Sequence, residues 1–304
     1  MRRYLPVLVS IAFIIALLLF VADYRGMFET KKLLLGSLNK TRSCAHLPNF
    51  LQGLEKPIVI DLTQQRFSGI AFLYGKRHHA FYRKDWARFG SFGTYTLDEQ
   101  GTIFLAPMPF ISIKEKTFER QKSLYRIDSD KGVLSLWKTL ENVRPSASNP
   151  YGIISLVYDC ENNALWVGAI DRSDYRKANG RIYRIDKQHA KITQTIKGFD
   201  ALSLALGRTE DGTITLLAGS AKDGGLYAFR LSSDGTAETP EKLFELPDPK
   251  LHIRKIKVIG RNEIIVEAIP FSYALIAQTS KQYRVIYRAQ YTPRTGRWNI
   301  KHVE

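Results

Sequence analysis

Three segments of this chain combine aromatic and basic side chains in a way that suits recognition of a charged partner. The first covers residues 108–122 and includes Phe110, the second covers residues 171–180 and the third covers residues 270–282. Aromatic and arginine side chains are enriched where proteins bind one another, and basic groups steer acidic partners toward a surface. The sequence predicts a partner-binding site made of Phe110, Arg172, Tyr175, Arg176, Lys177, Phe271 and Tyr273. For each residue alone, an ordinary loop contact is the alternative.

The charge balance supports an anionic partner. The chain has 45 Lys and Arg residues against 29 Asp and Glu residues, a formal net charge of +16, and the basic residues are spread along its whole length. Such a surface attracts lipid head groups, acidic polymers or an acidic protein. Nucleic acid matches the charge, but no base-stacking or helix-turn-helix motif accompanies it. A purely solubilising role of the basic residues is the alternative.

Motifs for catalysis are missing from the sequence. No phosphate-binding loop, zinc-ligand spacing or nucleophile elbow occurs, so the sequence favours a binding protein over an enzyme and predicts no cofactor. The two cysteines, Cys44 and Cys160, are either a disulfide pair in an oxidising compartment or two free thiols.

A repeated strand pattern supplies the framework for these residues. A short apolar segment with a central tyrosine recurs five times at intervals of 43 to 60 residues, and these tyrosines are Tyr82, Tyr125, Tyr183, Tyr227 and Tyr287. Turn residues followed by a β-branched or aromatic run precede four of them. The tyrosine-centred segments and the turns recur with the same period, and together they predict an all-β fold, a β-propeller of five blades. Four or six blades remain compatible, and a β-sandwich is the alternative.

The blades are not equally well marked. The segment Trp86–Phe89 is a poor candidate for the outer strand of the first blade, whereas residues 298–303 supply an outer strand for the last one. Ring closure is therefore unexplained by the pattern. In a four-stranded blade, the loops between the second and third strands open on one face, and we expect the three aromatic and basic segments to gather there.

The N-terminus has a different composition. Residues 5–22 carry no charge, and 18 uncharged, mostly apolar residues are near the lower limit for crossing a bilayer. Phe20 at the third position before a cut after Ala22 disfavours cleavage. The sequence thus predicts a signal-anchor transmembrane helix over 1–22, a linker over 23–56 with a juxtamembrane helix at residues 27–38, and a propeller over 57–304. The predicted location is a single-pass membrane protein with an extracytoplasmic propeller, periplasmic, lumenal or extracellular. Basic residues on both flanks leave the orientation open.

Two phrases, residues 163–168 (NALWVG) and 180–186 (GRIYRID), resemble blades of NHL-repeat, SMP-30-like and strictosidine-synthase-like propellers. The resemblance implies an axial site in which lactonases hold a divalent cation at the starts of inner strands. Those positions here are Tyr151, Asp200 and His252, so Asp200 is the one candidate oxygen ligand. A lactonase-like or glycosidase-like enzyme, the latter using Asp200 and Glu267, and a glycan-binding lectin are therefore the alternatives to a binding scaffold.

Overall fold

The computed structural model describes residues 38–42, 44–62, 69–109, 117–274 and 283–303. These residues contain five antiparallel sheets that follow one another along the chain. The inner strands of blades 2, 3, 4 and 5 lie side by side in that order. The chain is a five-bladed β-propeller, and the predicted class and blade count are confirmed.

The strands have the following bounds. A short strand, β1 (Leu38–Lys40), precedes the blades. Blade 1 contains β2 (Ile58–Asp61), β3 (Ala71–Tyr74) and β4 (His79–Phe81), and blade 2 contains β5 (Phe92–Leu97), β6 (Ile103–Pro107), β7 (Ser123–Ile127) and β8 (Leu134–Thr139). Blade 3 contains β9 (Ile153–Asp159), β10 (Ala164–Ala169), β11 (Arg181–Asp186) and β12 (Ile192–Lys197). Blade 4 contains β13 (Ala201–Thr209), β14 (Ile214–Ser220), β15 (Gly225–Arg230) and β16 (Glu241–Glu245). Blade 5 contains β17 (Leu251–Gly260), β18 (Glu263–Pro270), β19 (Val285–Thr292) and β20 (Arg297–Val303).

Blade 1 has only three strands among the described residues, and the predicted fourth strand at Trp86–Phe89 is wrong. Residues Lys84–Phe89 form a 3-10 helix that ends before Gly90. Trp86 is completely buried, and its indole N–H donates to the carbonyl of Gly132 at 3.0 Å. The 3-10 helix places this large ring between blades 1 and 2, where its apolar surface is buried and its N–H group is hydrogen-bonded.

Neighbouring blades are joined near the axis by a repeated serine contact. The Ser155 hydroxyl of blade 3 donates to the carbonyl of Ala201 in blade 4 at 2.9 Å, and Ser203 of blade 4 donates to Ile253 of blade 5 at 2.7 Å. Each serine is paired with a glycine of the second strand, Gly168 or Gly219. A larger residue at either glycine would collide with the hydrogen-bonded atoms.

The tight turns between the first and second strands of blades 2 to 5 define the lower face of the propeller, where ion pairs link the blades. Lys187 of blade 3 contacts Asp98 and Glu99 of blade 2 at 3.1 and 2.8 Å. The next two links join Arg208 to Glu161 and Arg261 to Glu210. Each ion pair joins a blade to the preceding blade, so these pairs stabilise the contacts between neighbouring blades.

A segment that we call the strap, residues 38–42 and 44–54, crosses the lower face and contacts the blades in reverse order. The amide of Asn262 in blade 5 donates to the Leu38 carbonyl at 2.7 Å, and β1 pairs with β13 of blade 4. A disulfide joins Cys44 to Cys160 of blade 3. The His46 amide then donates to the Asp98 carbonyl of blade 2.

The end of the strap reaches blade 1. The ring of Phe50 packs against Phe72, Phe81 and Trp86 with centroid distances of 5.7 to 6.1 Å. The strap therefore contacts all five blades. Its two ends lie on blade 5 and blade 1, so it links the last blade to the first, a connection that the strand pattern alone does not explain.

Within the described part of the chain, no helix is long and apolar enough to cross a membrane. The predicted anchor at residues 1–22 lies outside the described residues, as does the predicted juxtamembrane helix apart from Leu38, which begins β1 instead.

Candidate functional site

The inner strands enclose an axial channel that opens on the upper face, the side opposite the strap. Its cavity has a volume of about 790 Å³ and is lined by residues of all five blades. Volumes of roughly 300–1,000 Å³ are usual for sites that bind small molecules. A smaller cavity of about 310 Å³ lies at the lower end, between the inner strands and the strap.

Four inner strands carry a β-bulge at the same level of this channel. In each pairing with the second strand one residue is skipped, and the skipped residues are Gly93, Ile154, Leu202 and Arg254 in blades 2 to 5. All four line the channel. A bulge leaves the extra residue unpaired and re-aims its side chain. The four bulged residues therefore surround the axis at one level, and Arg254 is the only charged residue among these four.

Arg254 extends from its bulge across the channel. Its Nη1 donates to the carbonyl of Leu202 at 3.3 Å and its Nη2 to the carbonyl of Gly93 at 3.4 Å. The backbone carbonyls at two of the four bulges therefore accept hydrogen bonds from the guanidinium. Among the residues that the structure describes, no carboxylate oxygen lies within 4.0 Å of Arg254. Burial lowers the pKa of Arg254, and the more distant Glu267 opposes this shift.

The position after the bulge distinguishes blade 5 from blades 3 and 4. Where those blades have the serine and glycine pairs, blade 5 pairs Lys255 with Glu267. Their side chains form an ion pair at 3.2 Å, and Arg284 contacts the second Glu267 oxygen at 3.3 Å. Blade 5 thus replaces its small polar contact with charged groups at the side that faces blade 1. Of the described residues that line the channel, three are basic and two are acidic, and Asp61 is the second acid.

An aromatic cluster surrounds the upper mouth of the channel. The ring of Phe271 packs against Tyr151 at 5.3 Å, against Tyr273 at 5.2 Å and against His252 at 5.7 Å. Burial raises the pKa of Tyr151 to about 12, with Arg254 opposing, and burial lowers the pKa of His252. At neutral pH the Tyr151 hydroxyl is therefore an uncharged donor and acceptor.

Asp200 is a buried anchor of this cluster rather than a channel residue. Its two oxygens accept from the Ser173 hydroxyl at 2.6 Å, the Gly180 amide at 2.7 Å and the Tyr273 hydroxyl at 2.6 Å. Burial raises the pKa of Asp200, and these three hydrogen bonds oppose the rise. Across the described residues, no group of three His, Cys, Asp or Glu side chains is arranged to hold a metal ion. Asp200 fastens Tyr273 to blades 3 and 4.

The loop of residues 171–180, which we call the blade 3 loop, forms an ordered rim beside the mouth. The Asp174 carboxylate accepts from the amides of Arg176 and Lys177 at 2.7 and 2.8 Å, which lowers the pKa of Asp174. The Tyr175 hydroxyl contacts the Ser272 hydroxyl at 2.5 Å. Tyr175 also packs edge-on against Tyr273 at 5.7 Å.

The predicted partner-binding residues are placed in two groups. Arg172, Arg176 and Lys177 are exposed, and Tyr175 is 67% exposed. Phe271 is half-buried and Tyr273 is only 3% exposed, so these two rings support the rim from inside. The second and third predicted segments do meet on one face. Phe110 lies outside the described residues.

The sequence analysis missed Arg254 as a site residue. In the sequence it is one of several basic residues in a strand, beside Lys255 and Lys257. A signal was available in the repeat, because Ile154 and Ser155 align with Leu202 and Ser203 and then with Arg254 and Lys255. The change from apolar and serine to two cations at a repeated position marks blade 5 as different.

The fold and the channel define a class, a five-bladed propeller with a cationic axial channel. No protein-family model matches the chain, and no curated protein sequence matches it. Among solved structures it is similar to the tricorn protease, with 11% identity over 82% of this chain and 27% of that one and a TM-score of 0.43.

Two further similarities are to an exo-beta-1,3-galactanase of Phanerochaete chrysosporium and to a glucose dehydrogenase. The galactanase shows 9% identity over 87% of this chain and 70% of that one, with a TM-score of 0.43. The dehydrogenase shows 13% identity over 86% and 80%, with a TM-score of 0.40. The chain spans only 27% of the protease and 38% of a prolyl endopeptidase that it also resembles. At these scores the similarities carry no argument about activity.

Proposed function

We propose that this protein is a binding scaffold that recognises an acidic protein through the upper face of its propeller. The observation that carries the proposal is the blade 3 loop, an ordered rim in which an exposed tyrosine stands among three exposed basic side chains. Loops on a rigid scaffold are where binding sites are usually built. Tyrosine and arginine are the residue types that most often contribute strongly to such interfaces.

The order of this rim supports the proposal. The amides of Arg176 and Lys177 are fixed by Asp174, and the Lys222 ammonium of blade 4 contacts the backbone carbonyl of Tyr175. A loop that is already held in place loses less conformational entropy when a partner binds. The three cations then supply long-range attraction, and Tyr175 supplies apolar contact area.

A triple variant, with Arg172→Glu, Arg176→Glu and Lys177→Glu, tests the role of the basic rim. We expect at least a tenfold lower association rate with a poly-L-glutamate surface at low ionic strength, because electrostatic steering accelerates association by about 10- to 1,000-fold. The exposed charges of Arg176 and Lys177 contribute about 0–1 kcal/mol each to stability. Arg172 also contacts the buried Asp171 carboxylate at 3.8 Å, so the melting temperature of the variant is measured beside the rate. Surface plasmon resonance at two salt concentrations measures the rate.

A matched control separates the rim from net charge. The variant with Arg294→Glu, Arg297→Glu and Lys301→Glu changes the charge by the same amount at exposed residues of the β19–β20 hairpin. It should reduce the rate much less than the rim variant does. Equal reductions in both variants would mean that binding follows overall charge, and the proposed face would be abandoned.

We also propose that residues 1–22 anchor the chain in a membrane with the propeller outside the cytoplasm. The uncharged 18-residue segment supports the anchor, and the disulfide between Cys44 and Cys160 suits an oxidising compartment. Protease added from the extracytoplasmic side of sealed membranes should digest the chain beyond about residue 26. Complete protection, with digestion only after the membrane is opened, would reverse the orientation.

A further inference from the structure

The axial channel holds a positive charge whose counter-ion is not among the described residues. Arg254 donates two hydrogen bonds of 3.3 and 3.4 Å to backbone carbonyls, and both are longer than the usual range of about 2.7–3.2 Å. A guanidinium has five N–H donors. The structure records no other hydrogen bond of Arg254 with the described residues. Burying a cation without a paired anion is costly, and an ionisable group with a perturbed pKa in a cleft is a candidate for a functional site.

The nearest acid cannot serve as the missing anion. Glu267 is already contacted on one oxygen by Lys255 and on the other by Arg284. Its charge therefore attracts Arg254 only from a distance. Among the described residues that line the channel, three are basic and two are acidic, so one positive charge there has no described carboxylate to balance it.

The bulge explains why this cation faces the channel. In a regular strand, the side chains of residues 253 and 255 would point to one side of β17 and the side chain of Arg254 would point to the other side. The bulge between Ile253 and Lys255 interrupts this alternation. The skipped position instead places Arg254 with Gly93, Ile154 and Leu202 around the axis. Its carbonyl contacts with blades 2 and 4 hold the guanidinium in one orientation, so the donors that remain are preorganised.

The remainder of the channel wall suits a ring rather than a bare inorganic ion. Tyr95, Tyr151 and Phe271 line it together with the apolar residues Ile154 and Leu202. Aromatic walls bind the flat face of a ring, and the Tyr151 hydroxyl, uncharged at neutral pH, can donate to an anion. The volume of about 790 Å³ is larger than an inorganic anion requires.

We propose that the axial channel is a binding site for a small organic anion, a carboxylate attached to a six-membered ring, whose carboxylate pairs with Arg254. Guanidinium groups bind carboxylates through two parallel hydrogen bonds, which are stronger than neutral ones. The ring would lie against the aromatic side chains that line the channel. This site is separate from the blade 3 loop, and it does not depend on the proposed protein partner.

Isothermal titration calorimetry of the full chain in detergent, with benzoate and its uncharged analogue benzamide, tests the proposal. We expect saturable heat with benzoate and none with benzamide at the same concentrations. Arg254→Gln should weaken benzoate binding by about tenfold or more, because one charge-assisted contact of this kind is lost. Lys257→Gln, an exposed change in the same strand that does not line the channel, should leave binding unchanged.

Each other outcome overturns the proposal. Equal binding of benzamide would show that the charge is not recognised, and full binding by Arg254→Gln would show that Arg254 is not the counter-ion. Binding of inorganic phosphate without benzoate would replace the ring carboxylate with a bare anion. If Arg254→Gln fails to fold, Arg254→Lys keeps the charge and loses the two-pronged geometry, so it should bind benzoate more weakly than the wild type but still prefer it to benzamide.

Discussion

Gly219→Ala is expected to destabilise the propeller by about 1–3 kcal/mol, the range found when atoms are forced into a packed interior. A β-carbon at this position would lie 2.5 Å from the Ser203 hydroxyl and 2.6 Å from the carbonyl oxygen of Ile253 in the next blade. The carbonyl belongs to the backbone of β17 and cannot rotate away. The added methyl group would push blades 4 and 5 apart at the axis and break the hydrogen bond that joins them.

Urea unfolding of the variant measures this change, and Gly260→Ala is the matched control. Gly260 ends the inner strand of blade 5, and a β-carbon there meets no atom within 4 Å. Its replacement should be neutral or slightly stabilising, because alanine has less conformational freedom in the unfolded chain. If Gly219→Ala were as stable as Gly260→Ala, the close approach of the blades at Gly219 would be wrong.

Cys160→Ser is expected to cost about 3–5 kcal/mol of stability. The disulfide joins cysteines that are 116 residues apart, and a cross-link over about 100 residues removes roughly 4.7 kcal/mol of chain entropy from the unfolded state. It also fastens the strap to blade 3, midway between its contacts with blades 4 and 2. Without it, the strap would depend on β1 pairing and on short contacts such as the His46 amide to Asp98.

Thermal unfolding with and without reductant tests this expectation. The oxidised wild type should melt well above Cys160→Ser, whereas the reduced wild type and the variant should melt together. Non-reducing peptide mapping of protein from its native compartment should recover the two cysteine peptides joined. Two alkylatable thiols in that sample would contradict both the cross-link and the proposed extracytoplasmic location.

The blades were predictable because their signals are local. In blades 2 to 5, the tyrosine-centred third strands and the turns at residues 98–101, 161–163, 210–212 and 260–262 mark each repeat independently, and predicted and observed strands agree closely. In blade 1 the corresponding strand ends at Phe81, before Tyr82. The outer strand predicted at residues 298–303 is β20, Arg297–Val303. The inner strand predicted to start at Tyr95 starts at Phe92, because the bulge at Gly93 interrupts the alternation.

The strap and Arg254 depend on distant contacts and were not predictable locally. The sequence predicts Leu38 at the end of an amphipathic helix, but Leu38 pairs with Thr209 and is fully buried among residues of blades 4 and 5. The side of β17 on which Arg254 lies is set by a one-residue bulge, and a shift of one residue moves a side chain to the other face. Asp200 was correctly placed at the start of an inner strand, yet its hydrogen bonds could not be foreseen.

Site-specific photocrosslinking at Tyr175 in intact membranes tests the binding account most directly. The Tyr175→p-benzoylphenylalanine variant should give an adduct with an acidic protein, and adding the three rim substitutions, Arg172→Glu, Arg176→Glu and Lys177→Glu, should abolish that adduct. Leu136→p-benzoylphenylalanine is the control, since Leu136 is 54% exposed on the outer strand of blade 2 and should give none. The absence of an adduct at Tyr175, or the same adduct at both positions, would contradict the proposal that the upper face binds the partner.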